Sequence, residues 1–340
     1  MAIKRLGTST YQFDNVHIIS TAAVGGPKEG QGPLGADFDR IWPSELNDYD
    51  SFETAERHLL FESQTLAVEK AKQSWDNIDL VMGGDLLDQL ATTNFAARDH
   101  QRPLIGLFSA CAVFTEGLGL GAMTIAGGGP HGVLVSAASH HMAAERQFRF
   151  PIELGYQRTP TAAWTATAAG TCLLGRVNED HPERVRVESV TFGRVVDWGS
   201  KDPNDMGTAM APAAFDTIRR HLEETGRSID DYDRVYTGDL GVFGLQLLSR
   251  LAQKNGLSWE AQLDDCGRAL YAIKEQDVHN GGSGAGCSAS VFSGFIYHRM
   301  KKRQWHKVLL VATGALFSPT TYQQGESIPC IAHAVSVEYP

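Results

Sequence analysis

One phrase occurs twice in this chain, and the repetition restricts the fold more than any other feature. Asp76-Asn77-Ile78-Asp79-Leu80-Val81-Met82-Gly83-Gly84-Asp85-Leu86 reads as a short apolar strand that ends in a glycine turn and an aspartate. Asp230-Asp231-Tyr232-Asp233-Arg234-Val235-Tyr236-Thr237-Gly238-Asp239-Leu240 repeats the pattern, behind a helical segment from about Ala213 to Glu224. A second echo links His131-Gly132-Val133-Leu134-Val135-Ser136-Ala137 to His306-Lys307-Val308-Leu309-Leu310-Val311-Ala312. Two copies of one supersecondary unit indicate internal duplication. Buried strands alternating with helices give βαβ units on a parallel or mixed sheet. The chain therefore reads as two similar α/β halves, residues 1–177 and 178–340, fused into one core. A polar turn from Asn178 to Arg184 lies between them, followed by a strand from Val185 to Phe192.

Within the first half, Asp50 and Glu53 resemble a helix capping box, with Phe52, Ala55, Leu59 and Leu66 at helical spacing behind it. Further on, the apolar run Leu104 to Phe108 breaks at Ser109-Ala110 into a segment of small and apolar residues that reads as a buried helix. Cys111 stands at the hand-over. A thiol there is open to three readings: plain core, a ligand contact, or a nucleophile whose pKa is lowered by the helix N-terminus. The second half offers a counterpart in Asn280-Gly281-Gly282-Ser283-Gly284-Ala285-Gly286-Cys287, which leads into another helix of small residues. Related by a pseudo-twofold axis, these two helix starts would converge on a pocket suited to a carboxylate or oxyanion.

As a nucleotide fingerprint, the glycine run lacks a preceding apolar strand. As a serine nucleophile elbow it lacks the second flanking glycine, and tight helix packing explains it as well. Asp85 and Asp239 occupy matching places after their strands, where helix N-capping is the simple expectation and a catalytic carboxylate pair the sharper one. His141 and Glu145 stand four apart, but no third metal ligand follows at a usual spacing, so no metal site is expected. His140 lies just past the end of a predicted strand, where α/β proteins place ligands. Arg146, Arg149 and Arg158 follow it, either as solvated side chains or as carboxylate-binding groups.

Bulk properties narrow the partners. A formal charge of -10 with no run of lysine and arginine argues against nucleic-acid binding. The start, Met1 to Gly7, leads into no long apolar segment, so a secretory signal is not expected. The run Val308 to Phe317 is broken by Thr313-Gly314 and falls short of the roughly 20 residues needed to span a bilayer, so any membrane association should be peripheral. Five scattered cysteines without a C-x-x-C pair favour reduced thiols.

The duplicated halves, the strand-to-helix cysteine and the glycine turn together resemble the thiolase and ketoacyl synthase superfamily. That resemblance implies two βαβαβαββ halves in a five-layered αβαβα core, usually as a homodimer, with Cys111 at the place of the nucleophile. The superfamily's other catalytic positions are not matched. Where a histidine phrase is expected, this chain has Gly238-Asp239-Leu240-Gly241, and the G-N-x-S turn is replaced by Gly281-Gly282-Ser283-Gly284. His279 and Asn280 lie a few residues away.

A narrower resemblance rests on Gly26-Pro27-Lys28-Glu29 with Gly32-Pro33-Leu34-Gly35, Gly84-Asp85-Leu86-Leu87, Ala144-Glu145-Arg146-Gln147-Phe148-Arg149, Ala209-Met210-Ala211-Pro212-Ala213-Ala214, Thr237-Gly238-Asp239-Leu240, Asp265-Cys266-Gly267 and Glu326-Ser327-Ile328-Pro329-Cys330-Ile331-Ala332-His333. In these the chain resembles the stage V sporulation protein AD family over almost its whole length. The resemblance implies a non-catalytic thiolase fold that binds dipicolinic acid or its calcium chelate, without a cofactor. It also implies work with membrane-embedded subunits of a spore transport system in sporulation and germination, peripherally at the spore inner membrane. The ligand-binding residues expected on this basis are Cys111, His140, Arg146, Arg149, Asp239, Asp265, Asn280, Gly282 and Ser283. The alternatives are a Cys111-dependent acyltransferase or condensing enzyme, with His279 or His140 as base, and a structural subunit with a vestigial pocket.

Overall fold

A computed structural model describes residues 3–148, 157–176 and 184–339. One large mixed sheet runs through the molecule in the strand order Leu263–Asp265, Arg234–Thr237, Lys307–Ala315, Cys330–Glu338, Arg186–Thr191, Val16–Gly25, Ala168–Arg176, Gly132–Ser139, Leu80–Gly84, Leu104–Gly106. This order reads the same from both ends. In each half three strands run parallel, as in 104–106, 80–84 and 132–139, and the two nearer the middle are antiparallel. Even the irregularities are duplicated. A register shift between Ile18 and Ser20 on the innermost strand of one half is matched by one between Val187 and Ser189 on that of the other. The phrases repeated in the sequence, 80–84 with 234–237 and 132–139 with 307–315, occupy equivalent places. The boundary expected between residues 177 and 178 lies outside the described residues.

Helices complete the layers. Phe52–Lys70 and Ala91–His100 cover the first half-sheet from outside, and Met206–Thr225 with Gly241–Lys254 cover the second. Val113–Ala126 and Ala285–Val291 lie between, the first packing on strands 132–139 and 168–176 and also on 307–315 and 330–338. Such a two-sided position demands an apolar, small-residue helix. Phe114, Leu118, Ala122 and Ile125 are fully buried, each leucine-sized side chain contributing about 2 kcal/mol on leaving water. The result is the α/β thiolase-like arrangement of duplicated halves.

The start of the long helix 52–70 differs from the sequence reading. Ser51, not Asp50, is the cap, its hydroxyl accepting the Thr54 N–H at 3.1 Å. Helix 206–225 likewise begins seven residues before Ala213, with Asp205 accepting from the Thr208 N–H.

Candidate ligand pocket

Cys111 sits in a single 3-10 turn, Ala110–Ala112, where the apolar strand gives way to helix 113–126. The turn is sharp because Ala110 adopts φ +50°, a left-handed conformation that costs an alanine about 1 kcal/mol or more. Across from it, Gly314 lets strand 307–315 touch this turn, since a Cβ there would lie 2.2 Å from the Ser109 carbonyl oxygen. Ser283 arrives from the other half on the two-residue strand Gly282–Ser283, paired with Trp164–Thr165. The following Gly284, at φ +99°, turns the chain into helix 285–291.

Cys111 and Ser283 thus meet, as the duplication implied, on the wall of a cavity of about 360 Å³. Its apolar lining includes Leu86, Leu87 and Leu90, Phe108, Phe148 and Phe317, and Met206 and Met210. Its polar groups include Asp85, Asp88, Gln147, Thr165 and Ser318. Among the described residues no lysine, arginine or histidine lines it.

Directly behind the wall stands Asp239. Its carboxylate accepts the Ser283 hydroxyl at 2.8 Å, the Gly284 N–H at 3.2 Å and the Thr313 hydroxyl at 2.8 Å, and Cys111 lies within its electrostatic reach. The expectation that Asp239 caps the helix that follows its strand is therefore overturned. Its carboxylate takes the donors at the start of helix 285–291 that an external anion would need. Capping of helix 241–254 falls instead to Asp265, which accepts the Leu240 and Gly241 N–H groups, and to Asn280, whose Oδ1 accepts from the Phe243 N–H at 2.8 Å. Asp85 does cap, accepting the Thr93 N–H at 2.8 Å in the first turn of helix 91–100, while it also faces the cavity.

This arrangement reverses the electrostatics expected of Cys111. Burial, followed by the negative charge of nearby Asp239, pushes the thiol pKa well up, not down. The thiol is neutral. His140 is buried among other partners, with Nε2–H donating to the Glu45 carbonyl at 3.0 Å and Nδ1 accepting the Met142 N–H at 3.2 Å. Burial lowers its pKa, so it is a neutral imidazole. His279 is held by the Thr159 carbonyl and Asp277. Neither histidine lines the cavity.

Of the nine residues expected at the site, the structure places Cys111 and Ser283 on the cavity wall and Asp239 behind them. His140, Asp265, Asn280 and Gly282 are buried but contribute none of its lining, because their polar groups are used in caps and strand pairing. Arg146 carries its guanidinium 4.9 Å from the Phe52 ring centre and is not part of the lining either. Arg149 lies outside the described residues. Sequence reasoning missed Gln147, Thr313 and Phe317. Gln147 belongs to the Ala144 to Arg149 motif, and the place of that motif after a strand end was the available signal. Replacing Asn280 by alanine should remove both side-chain bonds that fix helix 241–254 and lower stability by about 2 kcal/mol in chemical denaturation, without changing the cavity wall.

Comparison with known proteins follows the same division between fold and site. The solved structure of 3-oxoacyl-[acyl-carrier-protein] synthase III from Aquifex aeolicus VF5 matches at TM-score 0.60 and 13% identity, covering 95% of this chain and 100% of that one. A solved structure of a variant of OleA from Xanthomonas campestris matches at TM-score 0.62 and 14% identity, covering 96% of this chain and 99% of that one. At such identities the likeness is one of fold. In sequence, stage V sporulation protein AD of Bacillus subtilis (strain 168) is 39% identical over 337 residues, 99% of this chain and 98% of that protein. The profile described as stage V sporulation protein AD (SpoVAD) matches residues 7–338. With both agreeing over nearly its full length, the chain belongs to the stage V sporulation protein AD family.

Proposed function

We propose that the cavity binds dipicolinate as its calcium chelate and that the protein carries out no turnover on it. The observation that carries this reading is the wall itself: aromatic and apolar, with acidic groups and no basic side chain among the described residues. A bare aromatic dianion would be desolvated there without a counter-charge, an arrangement that costs several kcal/mol. A chelate whose carboxylates are already neutralised by calcium is flat, uncharged and suited to the rings of Phe108, Phe148 and Phe317. The neutral thiol of Cys111, near Asp239 and with no histidine on the cavity wall among the described residues, supports binding over acyl transfer.

In this reading the protein acts in sporulation and germination beside membrane-embedded subunits of the same transport system, peripherally at the spore inner membrane and as a possible homodimer. Among the described residues no helix is long and apolar enough to cross a membrane.

Titration calorimetry tests the proposal. Dipicolinate with equimolar calcium should bind saturably, and at least about tenfold more weakly without calcium, the equivalent of about 1.4 kcal/mol. Cys111→Trp should fill the cavity and lower affinity more than tenfold while leaving the circular dichroism spectrum intact. Absence of heat with and without calcium would remove the ligand assignment. Incubation with acyl-CoA should leave the intact mass unchanged, and a stoichiometric acyl adduct on Cys111 would favour the condensing-enzyme alternative.

A further inference from the structure

One wall of the cavity is held in an unfavourable conformation by side chains that include one from a helix distant in sequence. Gln89 and Leu90 are consecutive non-glycine residues in the left-handed region, at φ +58° and +53°. Both line the cavity. Leu90 is buried, with its Cδ1 against Gly106 of the edge strand, so the strain is offset partly by packing. The turn is pinned at its base by Asp85, which accepts the Leu87 N–H at 2.9 Å, and at its far side by Asn94, which donates to the Gln89 carbonyl at 2.5 Å. Its remaining anchor comes from helix His141–Phe148. The Gln147 amide uses both ends on the turn, Nε2–H donating to the Leu86 carbonyl at 2.7 Å and Oε1 accepting the Asp88 N–H at 3.0 Å.

We infer that Gln147 is a positioning residue that latches the strained turn 86–90 over the cavity, so that breaking the latch opens the wall and speeds ligand escape. The turn has a reason to move, because two left-handed residues relax when released. It also has a discrete hold. A primary amide matches one carbonyl and one N–H at once, which neither a hydrocarbon nor a carboxylate side chain reproduces. Helix 141–148 and turn 86–90 therefore form one wall, and the Gln147 side chain is where they separate.

Hydrogen exchange and binding kinetics test this together. In ligand-free Gln147→Ala, amides of residues 86–93 should exchange about tenfold faster, as expected for loss of two hydrogen bonds, while strand 132–139 keeps its wild-type protection. Gln147→Glu should be better protected at pH 3.5, below the ordinary glutamate pKa of about 4.3, where the protonated carboxyl can donate and accept as the amide does, than at pH 8, after correction for intrinsic exchange. Dissociation of calcium dipicolinate, followed by stopped flow, should accelerate about tenfold in Gln147→Ala with association changed less than twofold. Unchanged exchange at 86–93, a loss of protection spread over the whole molecule, or an unchanged dissociation rate would each overturn the latch. The kinetic arm rests on the proposed ligand. If the wild-type protein fails to bind calcium dipicolinate, that reading falls, and the exchange arm alone decides the latch.

Discussion

Replacement of Asp239 by leucine should cost about 3 kcal/mol of folding stability, measured by urea denaturation at neutral pH. Removal of this carboxylate strands the Ser283 hydroxyl, the Gly284 N–H and the Thr313 hydroxyl, all in the interior between the two halves. Each unsatisfied buried donor costs about 1 kcal/mol or more. The gain from no longer burying a charge offsets part of this, because burial already raises the Asp239 pKa above the usual aspartate range. Asp239→Asn keeps the shape and one acceptor oxygen and should lose less than half as much. The same variant has a chemical readout. Cys111 in the wild-type protein should alkylate with iodoacetamide at pH 8 more than tenfold slower than a free thiol, since only the thiolate reacts. Without the negative charge beside it, the thiol ionises more readily, and Asp239→Asn should react faster than wild type. A leucine variant within 1 kcal/mol of wild type, or equal alkylation rates, would show that Asp239 does not organise the cavity base.

Asp239 also marks how far sequence reasoning reaches. The duplication was visible because strand patterns and glycine turns are local, and a strand phrase keeps its form wherever it is placed. The palindromic strand order, the meeting of Cys111 with Ser283 and the central position of helix 113–126 follow from that repeat. The division of labour between Asp85 and Asp239 does not follow. Both end a strand in the same phrase, yet Asp85 caps the next helix whereas Asp239 points to Ser283 and Thr313. The difference lies in what stands across the chain: Asp265 and Asn280, distant in sequence, have taken over the caps of helix 241–254. Arg146 was chosen for its charge, but its position over Phe52 depends on the packing of helix 141–148, which no local pattern encodes. Superfamily likeness pointed to Cys111 and said nothing about the carboxylate behind it. That carboxylate, with burial, raises the thiol pKa.

The second large effect lies away from the cavity, at Glu29, and it is a pH effect. Glu29 is fully buried where the short helix Pro27–Gly30 meets the second half, and it accepts the Tyr271 hydroxyl and, at 3.1 Å, the Thr167 N–H. Its other carboxyl oxygen, Oε2, is buried without a hydrogen-bond partner. Burial, reinforced by the nearby Glu45, raises its pKa from 4.5 to about 7 against the opposing pull of the Tyr271 hydrogen bond. The sign follows from which state holds the proton. Below pH 4.5 the group is protonated in both folded and unfolded chains and contributes no pH dependence. Between pH 4.5 and 7 the folded protein keeps a proton that the unfolded chain has released, so stability declines as pH rises. Above pH 7 both are ionised and the whole loss remains, about 3 kcal/mol at about 1.4 kcal/mol per pH unit. Glu29→Gln retains an acceptor for Tyr271 and Thr167 but cannot ionise. Relative to wild type, it should therefore gain about 3 kcal/mol between about pH 4.5 and about pH 8 in denaturation experiments. Glu56 and Asp265, whose pKa values burial also raises, titrate in both proteins and cancel in the difference. Parallel stability profiles for the two proteins would mean that Glu29 keeps its charge at neutral pH. In that event the buried Oε2 would have to find a donor by rearrangement of helix 27–30 against Tyr271.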